Sequence, residues 1–436
     1  MSNIQDTNSR IRVLLSEGSS TNVREMITAL GPLGYTIDIC DPNPYCMGRF
    51  SSYIHKVYRC PRSGDDPIGY LEFVIKLIRK QNYDVLFPAN EQAFLFAWAK
   101  EYLTPLVGIA VSDFSAFQRL QTKSAFMRYL DEVGLLHPCT RYAKIWNEIQ
   151  EAVSYFGKPC YIKTDYGTAS TGVWCIKNDH DLNFLKESLT AKGILNVQTE
   201  FLVQEASSGV FEQLHAIFDQ GRLIAIHCTR RLKEGLGGGA IIKVGVDRPI
   251  VRKDLEKIGE SLKWHGSLSM DYFYHEADDR AYYIDANPRI TEPMNSVVNG
   301  INFAEMQIRL SLGKSIPTNY IDQITNKSHS TIQALLAAAG QRYSRLDVLK
   351  EMCLVATKKG IYKNSRESIT PVAKDFPSII PLSAVLFQLL YNPRSGQMQA
   401  QKAISNYSLG TAIPKISGMK PEEYFGFNAK TNKNIS

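Results

Sequence analysis

No Cys-x-x-Cys pair occurs among the eight cysteines (Cys40, Cys46, Cys60, Cys139, Cys160, Cys175, Cys228, Cys353), which are scattered and sit mostly in apolar stretches. That spacing gives neither a redox motif nor a zinc cluster and suits reduced core thiols. No Gly-x-Gly-x-x-Gly follows the first strand; Gly18 alone is available there, with Asp41 ending the next strand, which argues against dinucleotide binding. Long apolar runs are scarce as well. Ile379 to Tyr391, near the C-terminus, is too short to span a bilayer. The opening MSNIQDTNSR is polar and lacks an apolar signal region, so a reducing cytoplasm is the expected setting. There is no long basic run or RNA-binding signature, hence no expectation of a nucleic-acid partner. Internal repeats and low-complexity segments are absent too.

What is present is ordinary in bulk and specific in detail. The 436 residues allow two or three domains, and 44% hydrophobic with 21% charged residues is usual for a globular chain. Fifty Lys+Arg against 43 Asp+Glu leave a charge of +7, compatible with phosphate-bearing ligands. The first hundred residues alternate strand and helix: Ile11 to Leu15, Asn22 to Leu33, Gly34 to Cys40, Ile68 to Gln81, Tyr83 to Pro88. This order predicts a parallel sheet with right-handed crossovers.

Further on, Gly266 to Tyr274 and Ala281 to Asn287 read as two strands of an antiparallel hairpin about a polar five-residue loop, Glu276 to Arg280. That register pairs His275 with Ala281, Phe273 with Tyr283, Tyr272 with Ile284 and Asp271 with Asp285. Asn287 falls on the face of Asp285. Facing carboxylates repel unless a cation lies between them. Two carboxylates and an amide suit a hard cation, Mg²⁺ above all, with Mn²⁺ as an alternative. An exposed hairpin with solvated charges would read the same way.

Asp271 followed by Asp285-x-Asn287-Pro288-Arg289 resembles the metal-binding end of the ATP-grasp superfamily, whose usual form is a carboxylate and then Glu-x-Asn-Pro-Arg. Asp285 stands in place of the commoner Glu, keeping the charge and shortening the reach. The resemblance runs over roughly residues 10 to 315 as an ordered set and is nearest the carboligase-type branch. It implies an α/β chain: an N-terminal parallel-sheet pre-ATP-grasp domain (1–117), an ATP-grasp domain of lid and core (118–315, lid about 150–203) and a mostly helical C-terminal extension (316–436).

The same resemblance implies roles. Lys123, opening a helix, and Lys163, ending a strand, would reach nucleotide phosphates. Gly167, Thr168, Ser170, Thr171 and Gly172 form a loop whose N–H groups can wrap phosphates. Gln204 and Glu205 would meet the adenine edge, Glu212 the ribose, and Asp271, Asp285 and Asn287 the metal. Arg289 would stabilise charge at the transferring group. The cluster Arg230-Arg231 beside the glycine-rich run Gly235–Gly239 reads as an anion contact, Arg231, next to a covering loop. Asn90 and Glu91 would lie near the second substrate or merely cap a helix.

The expected activity is an ATP-dependent ligase that phosphorylates a small carboxylate and joins it to an amine, releasing ADP and phosphate. A bicarbonate-using carboxylase or carbamoyl-phosphate-type enzyme and a non-catalytic ATP sensor are the alternatives. Residues past 316 carry no catalytic constellation; partner, homodimer or membrane-surface contact and simple packing are all open for them. Asn428 to Ser436 reads as disordered.

Overall fold

The computed structural model describes residues 10–167, 171–195, 200–235, 239–316, 325–396, 404, 406–410 and 412–425. Strands β1 (Arg12–Leu15), β2 (Thr36–Asp41), β3 (Ile54–Arg59) and β4 (Val85–Phe87) form a parallel sheet in the order β3-β2-β1-β4. Alternation puts Val13, Leu15, Ile37 and Phe87 in one apolar cluster and Leu14, Cys40 and Leu86 in another. The Thr21–Leu30 helix belongs to the first side and the Pro67–Gln81 helix to the second, so both faces are covered, as a parallel sheet requires. Ser20 caps one helix by accepting from Val23 N–H, and Asp66 caps the other through Gly69 N–H. The sequence pattern passes over β3, a half-exposed edge strand whose lysine and arginine blunt its apolar signal.

A second lobe holds β5 (Thr140–Ala143), β6 (Cys160–Thr164), β7 (Val173–Ile176) and β8 (Phe201–Glu205) as an antiparallel sheet in the order β5-β8-β6-β7. The Trp146–Phe156 and Asp179–Ala191 helices pack on the face carrying Cys160, Ile162 and Val203. This sheet begins at Thr140, ahead of the boundary near 150 expected for the lid. Its other face carries Tyr161 and Lys163.

The third sheet contains β9 (Val210–Asp219), β10 (Arg222–Glu234), β11 (Ala240–Val246), β12 (Gly266–His275), β13 (Arg280–Asn287), β14 (Lys327–His329) and β15 (Ser365–Glu367). Its order is β13-β12-β9-β10-β11-β14-β15. Leu214, Ala216 and Phe218 of β9, with Leu268, Met270 and Tyr272 of β12, join the large cluster against the first lobe's helices.

The C-terminal segment is part of this sheet. β14 pairs with β11, Ile242 opposite His329, and β15 continues beyond it. The Thr331–Arg342, Arg345–Ala356 and Ile379–Tyr391 helices then pack together through Ile332, Leu335, Val348 and Leu389. Among the described residues no helix is long and apolar enough to cross a membrane.

A buried ion pair ties this segment to the first lobe. Arg24 and Asp375 meet at 2.5 Å with both side chains fully buried, and Asp375 also accepts from Ser52 N–H at 2.8 Å. Removing one partner of such a pair strands the other charge in low dielectric. Asp375→Ala should therefore lower the unfolding free energy by about 3–5 kcal/mol, measured by urea denaturation. A change of less than about 1 kcal/mol, the range of an exposed pair, would show that the tie contributes little.

Candidate functional site

The three sheets and the C-terminal segment surround a cavity of 540 Å³. Strand alternation decides which side chains reach it. Phe211 and Gln213 of β9, Asp271 and Phe273 of β12, and Tyr161 and Lys163 of β6 line it, each pair spaced by two residues.

Asp271 stands opposite Asp285, by a different route from the one the sequence suggests. The hairpin loop has four residues, so His275 faces Arg280, Phe273 faces Tyr282 and Tyr272 faces Tyr283. A bulge at Ile284 supplies one extra residue, after which Asp271 faces Asp285 and Ser269 faces Asn287. The carbonyl of Ile284 accepts from Lys163 Nζ at 3.4 Å.

The charges here are poorly solvated. Burial pushes the Asp271 carboxyl up to about 6; the Arg231 cation opposes this, Asp285 adds to it, and a hydrogen bond from Gln213 at 2.8 Å opposes it again. Burial lowers the Lys163 ammonium from 10.5 to about 8, against the pull of Asp285 and with a push from Lys123. Lys123 lies 3.9 Å from Asp285 and 3.4 Å from the Gly167 carbonyl. Among the described residues no group of three or more His, Cys, Asp or Glu side chains is set to hold a metal. Two facing carboxylates with the Asn287 amide alongside still fit Mg²⁺, which takes few protein ligands and completes its shell with phosphate oxygens and water.

The glycine loop hangs between β6 and β7. Gly172 has φ 75°, and a Cβ there would lie 2.1 Å from Thr164 Oγ1; one on Gly167 would lie 2.1 Å from the Thr171 carbonyl. Both positions therefore require glycine. Thr168 and Ser170 lie outside the described residues, and so do 236–238 of the Gly235–Gly239 run. Gly239 lines the cavity, and Gly235 N–H donates to its carbonyl at 2.7 Å.

Gln204 and Glu205 also line the cavity. Their polar side chains are engaged elsewhere: Gln204 donates to Thr140 Oγ1 at 2.8 Å, and Glu205 accepts from Cys139 N–H at 2.9 Å. Arg231 reaches the wall with its guanidinium over the Phe211 ring at 4.0 Å. Arg289 lines the cavity while nine-tenths buried, and its Nε has no hydrogen-bond partner among the described residues.

Glu212 needs correction. It sits between Phe211 and Gln213, so its side chain points to the opposite face of β9. There it is fully buried and accepts from Arg230, Arg248 and the Tyr272 hydroxyl. A carboxylate saturated in this way is a structural anchor and does not reach a ribose in the cavity.

Several lining residues escape the sequence reading. Ser19, Ser20 and Asn22 follow β1, beside Asn90 after β4, which the sequence does single out. These are the carboxyl ends of neighbouring strands where the sheet order reverses, the usual place for a ligand crevice, and this rule could have found them. Glu91 turns away and accepts from Leu409 N–H at 2.6 Å. Glu17 lies beneath Ser19 and Ser20, accepting from both N–H groups, and burial with the nearby Asp41 charge raises it to about 7. Glu292, Ile332, Gln333, Leu336, Ile404 and Tyr407 complete the wall. Ile404 and Tyr407 are helical residues far along the chain from the motifs that the sequence marks.

No family model matches the sequence. The shape is shared more widely. A biotin carboxylase domain of the 2-oxoglutarate carboxylase from Hydrogenobacter thermophilus, solved with MgADP, ADP and bicarbonate, superposes with a TM-score of 0.57 at 15% identity, covering 72% of this chain and 72% of that one. An N5-carboxyaminoimidazole synthetase from Staphylococcus aureus, complexed with ADP, gives 0.55 at 17%, covering 73% and 80%. An L-amino acid ligase from Bacillus licheniformis gives 0.56 at 14%, covering 73% and 79%. The fold is ATP-grasp.

Two measurements test this assignment of side chains. Lys163 binds fewer protons folded than unfolded between pH 8 and 10.5, so its burial costs stability below pH 8 and that cost fades as pH rises through the window. Lys163→Met should raise the melting temperature of the ligand-free protein at pH 7, with the gain shrinking toward pH 10; a lower melting temperature at pH 7 would contradict the desolvated lysine. Glu212→Gln removes the counter-charge of two arginines and should cost about 3 kcal/mol in denaturant unfolding. Unchanged stability with lost nucleotide binding would restore a ribose role for Glu212.

Proposed function

We propose that the chain is an ATP-dependent ligase, activating a carboxylate as an acyl phosphate and joining it to an amine. The observation that carries this reading is the meeting, in one 540 Å³ cavity, of two desolvated lysine and arginine pairs with a facing pair of aspartates. Lys163 comes from β6, Lys123 from the start of the Lys123–Val133 helix, Arg231 from β10 and Arg289 from the segment after β13. Desolvated cations of this kind bind phosphate oxygens more strongly than surface lysines do, since water competes less.

The residues divide the work by position. Backbone N–H groups of the loop between Gly167 and Gly172, with Lys123 and Lys163, would hold the triphosphate of ATP. The edge of β8 at Gln204 and Glu205 would offer backbone groups to the base. Asp271, Asp285 and Asn287 would hold Mg²⁺, which when bound offsets charge on the terminal phosphates. Arg289, unpartnered at Nε, would stabilise charge on the phosphoryl group as it passes to the substrate carboxylate. The carboxylate oxygen attacks the γ-phosphorus, ADP leaves, and the amine then displaces phosphate from the acyl carbon.

A bicarbonate-using reading has one observation in its favour, the bicarbonate in the Hydrogenobacter structure of like fold. The wall formed by Met47, Ile332, Leu336, Ile404 and Tyr407 weighs against it, because an apolar surface of that extent suits a larger substrate than bicarbonate.

ADP release against pooled small carboxylates, with hydroxylamine in place of the amine, tests the proposal. The expected products are ADP, phosphate and a hydroxamate. Asp285→Asn should cut hydroxamate formation by about 100-fold or more, as loss of a charged metal ligand does. AMP as product, or a fully active Asp285→Asn protein, would overturn the reading.

A further inference from the structure

Besides Asp271 and Asp285, the cavity wall carries the carboxylate of Glu292. This residue has φ 41°, a left-handed backbone that is uncommon outside glycine and asparagine and that is strained for glutamate. Its conformation is held at both ends. Glu292 N–H donates to Asn22 Oδ1 at 2.7 Å, and its carboxylate forms an ion pair with Lys243. The side chain keeps 28% of its surface exposed and lines the cavity.

Behind Glu292 lies Glu25, buried and accepting from Met294 N–H at 2.9 Å. Burial and the Glu292 charge raise Glu25 to about 7, while Lys243 opposes the shift. Glu292 goes the other way: burial would raise it, but Lys243 and then Arg231 hold it below the usual carboxylate range. Lys243, Arg231 and Tyr407 are the other titratable or charged groups facing the pair. Three residues before Glu292 stands Arg289, nine-tenths buried, aimed into the same cavity with an unpartnered Nε. One loop therefore places a buried cation and, three residues further on, an anion on the same cavity wall.

We infer that Glu292 is the anchor and proton acceptor for the second substrate, a primary amine that arrives as an ammonium ion with an apolar body seated against Met47, Ile332, Leu336 and Ile404. This rests on the ligase reading for its chemistry but not for its binding. An ammonium ion has no lone pair and must lose a proton before it can attack. Glu292 takes that proton, and the free amine forms the C–N bond to the acyl carbon. The C–O bond to phosphate breaks, and the second amine proton leaves with the phosphate group. The first proton leaves Glu292 to water at the open cavity, where its side chain keeps 28% of its surface exposed.

Calorimetric titration of the full chain with isobutylamine, phenethylamine and leucinamide, with and without MgADP, tests the anchor apart from any turnover. At pH 7 at least one of these amines should bind, and Glu292→Gln should weaken it by about tenfold or more, the weight of a charge-assisted hydrogen bond. Should that variant fail to fold, Glu292→Asp shortens the reach and should give a smaller loss. No binding by the wild-type chain, or equal binding by the variant, overturns the inference. In turnover the yield of alkyl amide relative to hydroxamate should fall in Glu292→Gln and recover as pH rises, because hydroxylamine is uncharged at neutral pH and alkylamines are not. A ratio that does not move with pH overturns the proton-acceptor role. Failure of the ligase reading would instead show as no ADP release with any acid, whatever the amine titration gives.

Discussion

Two aspartates face each other across a hairpin, and a buried lysine hydrogen-bonds the backbone between them. Burial works against the charges of Asp271 and Lys163. Asp271 is driven toward its neutral form and Lys163 toward its own, so the ligand-free site stores unfavourable desolvation that a bound polyanion and a divalent cation would relieve. The rest of the chain supplies the rigidity that such a site needs. Buried apolar faces of β9, β12 and the first lobe's helices fix the core strands, and the saturated Glu212 anchor locks the opposite face of the sheet.

The C-terminal segment changes what the cavity can hold. Through β14 it extends the core sheet, through Arg24–Asp375 it is tied to the first lobe, and through Ile332, Leu336, Ile404 and Tyr407 it forms an apolar wall. Part of the cavity wall therefore comes from a segment separate in sequence from the aspartate hairpin and the two lysines.

Sequence alone marked several cavity-lining residues, Lys123, Lys163, Asp271 and Asp285 among them, because their signals are local. A lysine ending a strand, glycines that tolerate no Cβ, and a carboxylate hairpin each depend on residues within a few positions of one another. It failed where geometry depends on phase or distance. Glu212 lies one residue from two cavity-lining neighbours, and a single step along a strand turns a side chain to the other face. Tyr407 and Glu292 reach the cavity by long-range packing and by a left-handed turn, which no periodicity announces. The edge strand β3 was hidden by its own solvent-facing charges.

The bulge at Ile284 has a consequence for how this hairpin can vary. Without it, the spacing from the turn to Asp285 would set the phase of the cavity-facing residues, and any change of one residue in the turn would swing Asp285 off the cavity. With the bulge beside Asp285, phase is set locally, where Lys163 grips the displaced carbonyl. The turn at 276–279 is thus freed as a place for sequence drift, while the carboxylates keep their station.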